Sequence, residues 1–493
     1  MNTILDILVT YLSDKNKLNL LSTCKEFWQT RKEVRFTGHC RYDRWMQLGM
    51  NIANVYVKCR GIIPQGATHV YLHKNFNEPI VIPEGVICIQ FGKCFNQRIT
   101  LPNSVRIARF GKCFNQPLIL PKGLRNLQLG NDFNQPIMLH DGIEVAVFGK
   151  QFNQPTIFPE SLRHLEFGKW FNHPITGALP NLQWLRFGDR FNSELNLVDM
   201  DSLKHLEFGM YFNQPIDFLP DLEYLSFECY FRQHITLLPS TLKYLKITTY
   251  GPNPLVLPDG LEYLIFIIAP DTFPVLPKSL KYLDIGYNAG YTLHPGYLPE
   301  GIVHLKLGNV TNRSLAGCLP KSLKYLDAGR FNSLLLPGDL PEGLEELYMP
   351  KFNWSLHPGV FPDSIKKLVF GRFNRLLKNL PKYLEYLDLG RFYDMPFSGH
   401  DLPTTLKFIN FGERFNQNID YLPSGMDRIN FCFGFSCPLP ENFTVKYLTL
   451  PRGYPHITDS LRKRATNISD KVFTLWMTFP SINAHIGDEP TLN

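Results

Sequence analysis

The residue pair Phe-Asn recurs along this chain at a fixed interval. Phe95, Phe114, Phe133, Phe152 and Phe171 each open such a pair, and each pair follows the previous one after 19 residues (114 − 95, and so onward). A period of about 20 residues is typical of repeat proteins, in which each unit contacts only its neighbours. The period constrains the fold more than the length of 493 residues does, because a solenoid grows in one dimension without a larger core.

The repeat unit combines one strand pattern with two kinds of chain-turning residue. Its consensus, FG-x-x-FNQPI-x-LP-x-x-L-x-x-L-x-F, is too short for a strand–helix–strand unit, which needs about 30 residues. In L-x-x-L-x-F the fourth and sixth positions share one face of a strand, because side chains alternate between its faces. Gly ends the strand and Pro favours an extended return leg. Since one unit cannot bury its apolar face alone, we predict a mainly β solenoid of about twenty short parallel strands.

Composition agrees with this architecture and sets few limits on partners. Phe, with 38 residues, supplies most of the 13% aromatic content, and charged residues make up only 19% of the chain. The net charge of +7 permits an acidic partner without requiring one.

The cysteines and the apolar segments indicate an intracellular, cytoplasmic protein. None of the ten cysteines forms a C-x-x-C pair, which excludes a zinc ribbon of that spacing. Cys94 and Cys113 occupy the same repeat position one turn apart, within disulfide range, but we expect reduced thiols in this compartment. The segment from Met1 to Ser13 lacks the basic start of a secretory signal. The apolar run from Leu264 to Ala269 is far too short to span a membrane.

Signatures of catalysis and of cofactor binding are absent from the sequence. It contains no P-loop, G-x-G-x-x-G, H-E-x-x-H or G-x-S-x-G motif. His164, His205 and His304 occupy the same repeat position but not in adjacent units, which does not suit a tetrahedral metal site. We therefore expect no catalytic residues, no metal and no cofactor.

Residues 1–35 depart from the repeat. Their apolar residues fall at helical spacing and predict two or three short helices. The segment ILDILVTYLSDKNKLNLLSTCKEFW resembles an F-box, the helical motif that docks onto the adaptor subunit of SCF-type (cullin-based) ubiquitin ligases, although Asn2 and Thr3 stand where F-boxes usually carry Leu-Pro. The resemblance implies an adaptor-binding set of Ile4, Leu5, Ile7, Leu8, Leu12, Leu18, Leu21, Cys24, Phe27 and Trp28.

The FNQPI repeat resembles the FNIP repeat, a relative of leucine-rich repeats. Arrays of FNIP repeats that follow an F-box occur in large DNA viruses of amoebae and in social amoebae. The resemblance implies a leucine-rich-repeat-like solenoid with a small α-helical N-terminal motif. It also implies a substrate-recruiting F-box subunit of a ubiquitin ligase, located in the host cytoplasm if the protein is viral.

Four segments follow from these patterns. Residues 1–35 form the F-box-like motif and 36–63 a linker or N-terminal cap. Residues 64–452 form the repeat solenoid, which we expect to be irregular around 250–310, where the FN pairs are lost. Residues 453–493 form a C-terminal cap, with a helix capped by Thr458 or Asp459, and a disordered tail.

Two columns of equivalent positions stand out in the array. The Asn of the FN pair predicts a structural ladder, because a buried amide must find partners and can bond the neighbouring turn. This asparagine ladder comprises Asn77, Asn96, Asn115, Asn134, Asn153, Asn172, Asn192 and Asn213. The third position of L-x-x-L-x-F, on the opposite strand face from the core, holds an aromatic column of His164, Trp184, His205, Tyr224, Tyr244, Tyr263, Tyr282, His304 and Tyr325.

The aromatic column has two interpretations. It is either a partner-binding surface, since Tyr and Trp edged by charge are typical of interfaces, or a self-stacked ladder that stiffens the sheet. The fifth position beside it alternates in sign, as at Glu166, Arg186 and Glu207.

Three functions remain open. The first is the ubiquitin-ligase subunit, with the N-terminal helices on the SCF adaptor and an unknown protein target on the solenoid. The second is a repeat scaffold whose N-terminal helices merely cap the solenoid and which has no ubiquitin role. The third, a nucleic-acid binder, is disfavoured by the alternating charges of the fifth position.

Overall fold

The computed structural model shows a mainly β solenoid in which each turn contributes one short strand, paired in parallel with the strands of neighbouring turns. The fold class predicted from the period is confirmed. The structure describes Lys17, Ile63 and residues 34–41, 51–57 and 66–469, except 217, 236, 249–254, 269–273, 287–289, 399–400 and 442. The chain divides into two compact units, Met1–Ser279 and Leu280–Asn493.

The first unit contains thirteen strands in its described residues. They are β1 Arg35–Arg41, β2 Asn51–Val57, β3 His69–Leu72, β4 Cys88–Gln90, β5 Ile107–Arg109, β6 Asn126–Gln128, β7 Val145–Val147, β8 His164–Glu166, β9 Trp184–Arg186, β10 His205–Glu207, β11 Tyr224–Ser226, β12 Tyr244–Ile247 and β13 Tyr263–Phe266.

The second unit contains ten strands and one short helix where the structure describes it. They are β14 Tyr282–Asp284, β15 His304–Lys306, β16 Tyr325–Asp327, β17 Glu346–Met349, β18 Lys367–Phe370, β19 Tyr386–Asp388, β20 Phe408–Asn410, β21 Met426–Asn430, β22 Val445–Thr449, α1 Asp459–Arg464 and β23 Ala465–Ser469.

Side chains alternate between the two faces of each strand, and one face points into the core. In the turn of β8, Leu162, Leu165 and Phe167 are buried, whereas His164 and Glu166 are only half-buried on the other face. The register between turns keeps equivalent positions together, since His164 pairs with Trp184 and Glu166 with Arg186. A side chain therefore meets the same repeat position of the next turn, about 4.8 Å away.

A spine of phenylalanines runs along the core. The rings of Phe114 and Phe133 have centroids 6.0 Å apart and planes 3° from parallel, and Phe152 and Phe171 repeat this at 6.1 Å and 5°. All four rings are inaccessible to solvent. Burying one such side chain contributes about 1.5–3 kcal/mol, so the Phe of the FN pair explains much of the attraction between turns.

The Gly that ends each strand is required by close backbone approach. A Cβ atom on Gly149 would lie 2.0 Å from the carbonyl oxygen of Gly130 in the preceding turn. Since real Cβ atoms do not approach so closely, the FG of the consensus lets consecutive turns stack.

Both ends of the array carry strands beyond the clear sequence pattern. The range 36–63, predicted to be a linker or cap, contains most of β1 and all of β2, which pair in parallel, and β2 pairs with β3. Helix α1 begins at Asp459, and the Thr458 side chain caps it by accepting from the Leu461 backbone N–H, so the predicted helix start is confirmed. Strand β23, which the sequence did not suggest, pairs with β22.

The predicted adaptor-binding residues of the F-box-like motif, Ile4, Leu5, Ile7, Leu8, Leu12, Leu18, Leu21, Cys24, Phe27 and Trp28, lie outside the described residues. So do residues 470–493, which hold the rest of the predicted C-terminal cap and its tail. Among the helices that are described, none is long and apolar enough to cross a membrane.

Candidate protein-interaction surfaces

The asparagine ladder links consecutive turns through one repeated hydrogen bond. The Oδ1 atom of each Asn accepts from the backbone N–H of the residue at the same position in the next turn, at 2.7 to 3.0 Å. These bonds begin at Asn77 and end on the N–H of Arg232, and they involve Asn77, Asn96, Asn115, Asn134, Asn153, Asn172, Asn192 and Asn213. The predicted ladder is present, but the expectation that its amides are buried is wrong, since Asn153 and Asn172 are exposed and Asn115 and Asn134 are half-buried.

The same hydrogen bond recurs in the second unit, where one Asn is replaced by Asp. Asn353 and Asn374 donate their N–H groups to Asn332 and Asn353. At the next turns Asp394 takes the place of Asn, and its Oδ1 accepts from Asn416 N–H at 3.0 Å. The position thus requires an acceptor oxygen more than it requires an amide.

The aromatic column of the first unit is self-stacked. His205 lies between Trp184 and Tyr224, with ring centroids 3.3 and 3.9 Å away and planes within 12° of parallel. Tyr224 stacks on Tyr244 at 4.1 Å, and His164 on Trp184 at 5.5 Å. Tyr263 ends this part of the column at 6.3 Å from Tyr244.

The second unit carries its own part of the column. Tyr282 stacks on His304 at 4.6 Å, and His304 on Tyr325 at 3.7 Å. Tyr282 and Tyr325 are each only 7% exposed, as Tyr244 is at 8% in the first unit. The column is therefore less accessible than a free binding surface would be, since much of each ring is covered by its neighbours.

Carboxylates at the fifth repeat position lie next to the histidines of the aromatic column. His164 donates a 2.8 Å hydrogen bond to Glu166, which lowers the pKa of that carboxyl. Burial lowers the pKa of His205, whose Nε2 is 3.7 Å from Glu207, too far for a hydrogen bond. Burial acts to raise the pKa of Glu207, but His205 and the Arg186 guanidinium, 3.3 Å away, lower it overall. Burial also raises the pKa of Tyr224 to about 12, so its hydroxyl stays protonated at neutral pH.

A second group of aromatic residues lies at a different place, which we call the turn edge. It consists of the two residues that precede the Phe of each FN pair, or that precede Phe231, which is followed by Arg232 in place of Asn. In the first unit it exposes Trp170, Arg190, Tyr211 and Tyr230, with 42%, 37% and 46% of the three aromatic residues accessible. Sequence reasoning missed this group, although a signal existed: these four residues occupy one repeat position in four consecutive turns.

The extended return legs expose apolar side chains one per turn. Ile119 and Met138 are each 89% exposed and Ile157 is 80% exposed. The residues directly before them, such as Leu118 and Ile137, are buried in the core.

No group of three or more His, Cys, Asp or Glu side chains able to hold a metal occurs in the described part of the chain. The predicted column histidines His164 and His205 are separated by Trp184, which stacks on both.

Comparison with known proteins agrees with the repeat geometry. The family model described as FNIP Repeat matches residues 114–140, 152–190, 201–230, 291–330, 331–373 and 352–392. This chain carries FNIP repeats. The matched segments are 27 to 43 residues long, so each spans more than one turn of the solenoid, since consecutive FN pairs of the early array are 19 residues apart. A comparison with curated protein sequences gave no match.

Solved structures of leucine-rich repeat proteins resemble the FNIP array. CroV588, from the giant virus CroV and described as a novel circular leucine-rich repeat protein, is 29% identical, with a TM-score of 0.59 over 85% of this chain and 69% of that chain. YopM from Yersinia enterocolitica is 18% identical, with a TM-score of 0.42 over 85% and 87% of the two chains. YopM from Yersinia pestis, described as a leucine-rich effector protein, is 19% identical, with a TM-score of 0.41 over 68% and 85%.

Proposed function

We propose that this protein is a non-catalytic scaffold that recruits a protein target to an SCF-type ubiquitin ligase in the cytoplasm. The N-terminal segment would bind the adaptor subunit, and the FNIP array would bind the target. The protein would supply proximity, and the ligase would supply the chemistry.

The observation that carries the scaffold part is the in-register array of FNIP repeats. Its turns are fixed to one another by the Phe spine and by the asparagine ladder. Such a framework holds exposed side chains of successive turns in regular columns, and solenoids commonly use surfaces of this kind to bind proteins. The ligase part is supported by the F-box resemblance of residues 1–35 next to that array.

Co-expression with an SCF adaptor subunit tests the ligase part. We expect the full chain to co-purify with the adaptor in a 1:1 complex. Deletion of residues 1–30, or Leu8→Asp with Leu12→Asp, should abolish capture, because F-box docking is apolar. A matched control is Ile119→Asp with Met138→Asp, which places the same new charges on exposed return legs and should leave capture intact.

The result can also contradict the proposal. Capture that survives the deletion would show that residues 1–30 are not the adaptor site. Absence of capture, together with a lower thermal midpoint of the truncated array, would favour N-terminal helices that only cap the solenoid. The protein would then be a repeat scaffold without a ubiquitin role.

A further inference from the structure

The turn edge of the first unit is a regular surface. Backbone hydrogen bonds hold it in register from turn to turn: Asp132 N–H donates to the Lys112 carbonyl, and Trp170 N–H donates to the Lys150 carbonyl, at 2.8 and 3.0 Å. The same bond recurs from Arg190 to Lys169 at 2.9 Å. Side chains at the turn edge therefore form columns with a spacing of about 4.8 Å.

One half of this edge is basic. Five exposed lysines share the position after the strand-ending residue, and they are Lys74, Lys93, Lys112, Lys150 and Lys169. Across the same turns, up to Arg190, the edge has only two carboxylates, Asp132 and Asp189. Asp189 lies 3.8 Å from Lys169. Within the described residues Lys93, Lys112 and Lys150 have no carboxylate within 4.0 Å, so their charges are available to a ligand.

The other half is a stack of planar groups. The Arg190 guanidinium lies over the Trp170 ring at 5.0 Å and over the Tyr211 ring at 4.7 Å. Tyr211 in turn stacks on Tyr230 at 5.1 Å, with planes 8° from parallel. Each side chain supports the next, so the group is ordered before any partner arrives and loses little conformational entropy on binding.

We propose that this turn edge is the target-binding surface of the scaffold, and that it takes an acidic segment of a protein. The inference rests on the proposed scaffold function and names the surface and the chemistry of the partner. Trp, Tyr and Arg are the residues that most often dominate protein interfaces. The neighbouring lysines complement carboxylates, which directs association and orients the partner.

Two comparisons favour this surface and this partner. The aromatic column of the strand face is more deeply covered, with Tyr244 only 8% exposed against 42% for Trp170. Single-stranded nucleic acid binds by stacking bases on open aromatic faces. At the turn edge Arg190 and Tyr230 cover the two faces of Tyr211, so its exposed part is the ring edge.

A selection with random peptides tests the proposal without knowledge of the natural target. The full chain, immobilised, is panned against a phage-displayed library of random peptides of about 16 residues, which reach about 50 Å when extended. We expect the enriched peptides to be more acidic than the unselected library. The most enriched peptide is then labelled, and its dissociation constant is measured by fluorescence anisotropy.

Three variants locate the peptide. Lys112→Glu with Lys150→Glu, and separately Trp170→Ala with Tyr211→Ala, should each weaken binding by at least about tenfold, the loss typical of interface hot spots. Lys321→Glu with Lys378→Glu changes the net charge equally at exposed lysines of the second unit and should leave binding within about twofold. Raising the salt concentration should weaken binding to the unaltered chain.

Several outcomes would overturn the inference. These are no enrichment, enrichment of neutral or basic peptides, or equal losses in the edge and control variants. Losses confined to Trp184→Ala with Tyr224→Ala would place binding on the strand face. Tight binding of labelled oligo(dT) that the edge variants abolish, without peptide binding, would indicate a nucleic-acid surface. Adaptor capture is measured on the same variants. The proposed function assigns capture to residues 1–30, so loss of peptide binding with capture intact concerns this inference alone, and loss of capture by the unaltered chain concerns the proposed function.

Discussion

The Oδ1 atom of Asn134 accepts a hydrogen bond from the backbone N–H of Asn153, 2.9 Å away in the next turn. The same oxygen is 3.2 Å from Gln154 Nε2, which donates to it as well. One side-chain atom thus binds two donors of the neighbouring turn. The consensus FNQ is explained by this arrangement, because Asn supplies the acceptor and Gln supplies the second donor.

Removal of that oxygen should weaken the array. We expect Asn134→Ala to lower the free energy of unfolding by about 0.5–1.5 kcal/mol, because the Asn153 N–H exchanges its partner in the preceding turn for water. Asn134→Asp should cost much less at neutral pH, since Asp394 already performs this role in the second unit. Chemical denaturation followed by circular dichroism measures both. Asn75→Ala, at an exposed Asn outside the ladder, is the control, and an equal loss there would contradict the assignment.

The sequence was sufficient to predict the solenoid and the ladder because both follow from periodicity. A period of 19 residues puts Phe114 and Phe133 in register, and the same register places each repeated Asn beside the backbone N–H of the next Asn. The predicted fold class is confirmed for this reason.

Exposure of the columns could not be predicted in the same way. Periodicity places Tyr224 and Tyr244 in one column, but it does not say whether the rings splay outward or stack face to face. Stacking is decided by side-chain packing between turns. The same limit hid the turn edge, where Trp170 and Tyr211 gain their arrangement from the intervening Arg190.

Replacement of Tyr393 by Phe should stabilise the protein. Tyr393 takes the place of a spine Phe, is fully buried, and stacks on Phe373 and Phe415 at 6.1 and 5.8 Å. Its hydroxyl has no hydrogen-bond partner among the described residues, and burial raises its pKa. Because an unsatisfied buried hydroxyl costs about 1–3 kcal/mol, Tyr393→Phe should raise the free energy of unfolding by that order.

A matched substitution distinguishes this cause from a general effect of Phe. Tyr454 also stacks in the spine, 5.7 Å from Phe435, but its hydroxyl donates to the Cys437 carbonyl at 2.6 Å. Tyr454→Phe should therefore destabilise the protein by about 0.5–1.5 kcal/mol. Thermal and urea unfolding of the two variants should move in opposite directions, and a shift of the same sign in both would refute the explanation.

Acidification should destabilise the sheet around His205. Burial between Trp184 and Tyr224 lowers the pKa of His205, although Glu207 nearby opposes this. The unfolded chain, with an ordinary His pKa of about 6.5, then binds the proton more readily than the folded chain. The contribution of neutral His205 to the free energy of unfolding is therefore fully present above about pH 6.5. It is lost as the pH falls from there through the lower pKa of the folded state.

The histidine contribution can be isolated by substitution. His205→Tyr places the commoner column residue there, keeps a stacking ring and removes the titrating group. The difference in unfolding midpoint between pH 7.5 and pH 5.5 should be smaller in this variant than in the unaltered chain. His164 and Glu166, which are hydrogen-bonded to each other nearby, remain unchanged in both proteins. An identical pH dependence in both would show that His205 does not contribute.

Insertion of a methyl group at Gly149 should disrupt the contact between two turns. A Cβ there would lie 2.0 Å from the Gly130 carbonyl oxygen and 2.3 Å from its carbon, so the backbone would have to move. We expect Gly149→Ala to lower the free energy of unfolding by at least about 1–3 kcal/mol, the range for overpacking.

Gly260→Ala is the matched control, because the nearest atom to its Cβ is the Ser240 carbonyl oxygen at 3.5 Å. That substitution should be neutral or should stabilise by about 0.4–1 kcal/mol, through the entropy of the unfolded chain. Urea denaturation of both variants measures the difference in their free energies of unfolding. Equal stability of the two variants would contradict the explanation, because it would show that the two turns can move apart at Gly149 without loss.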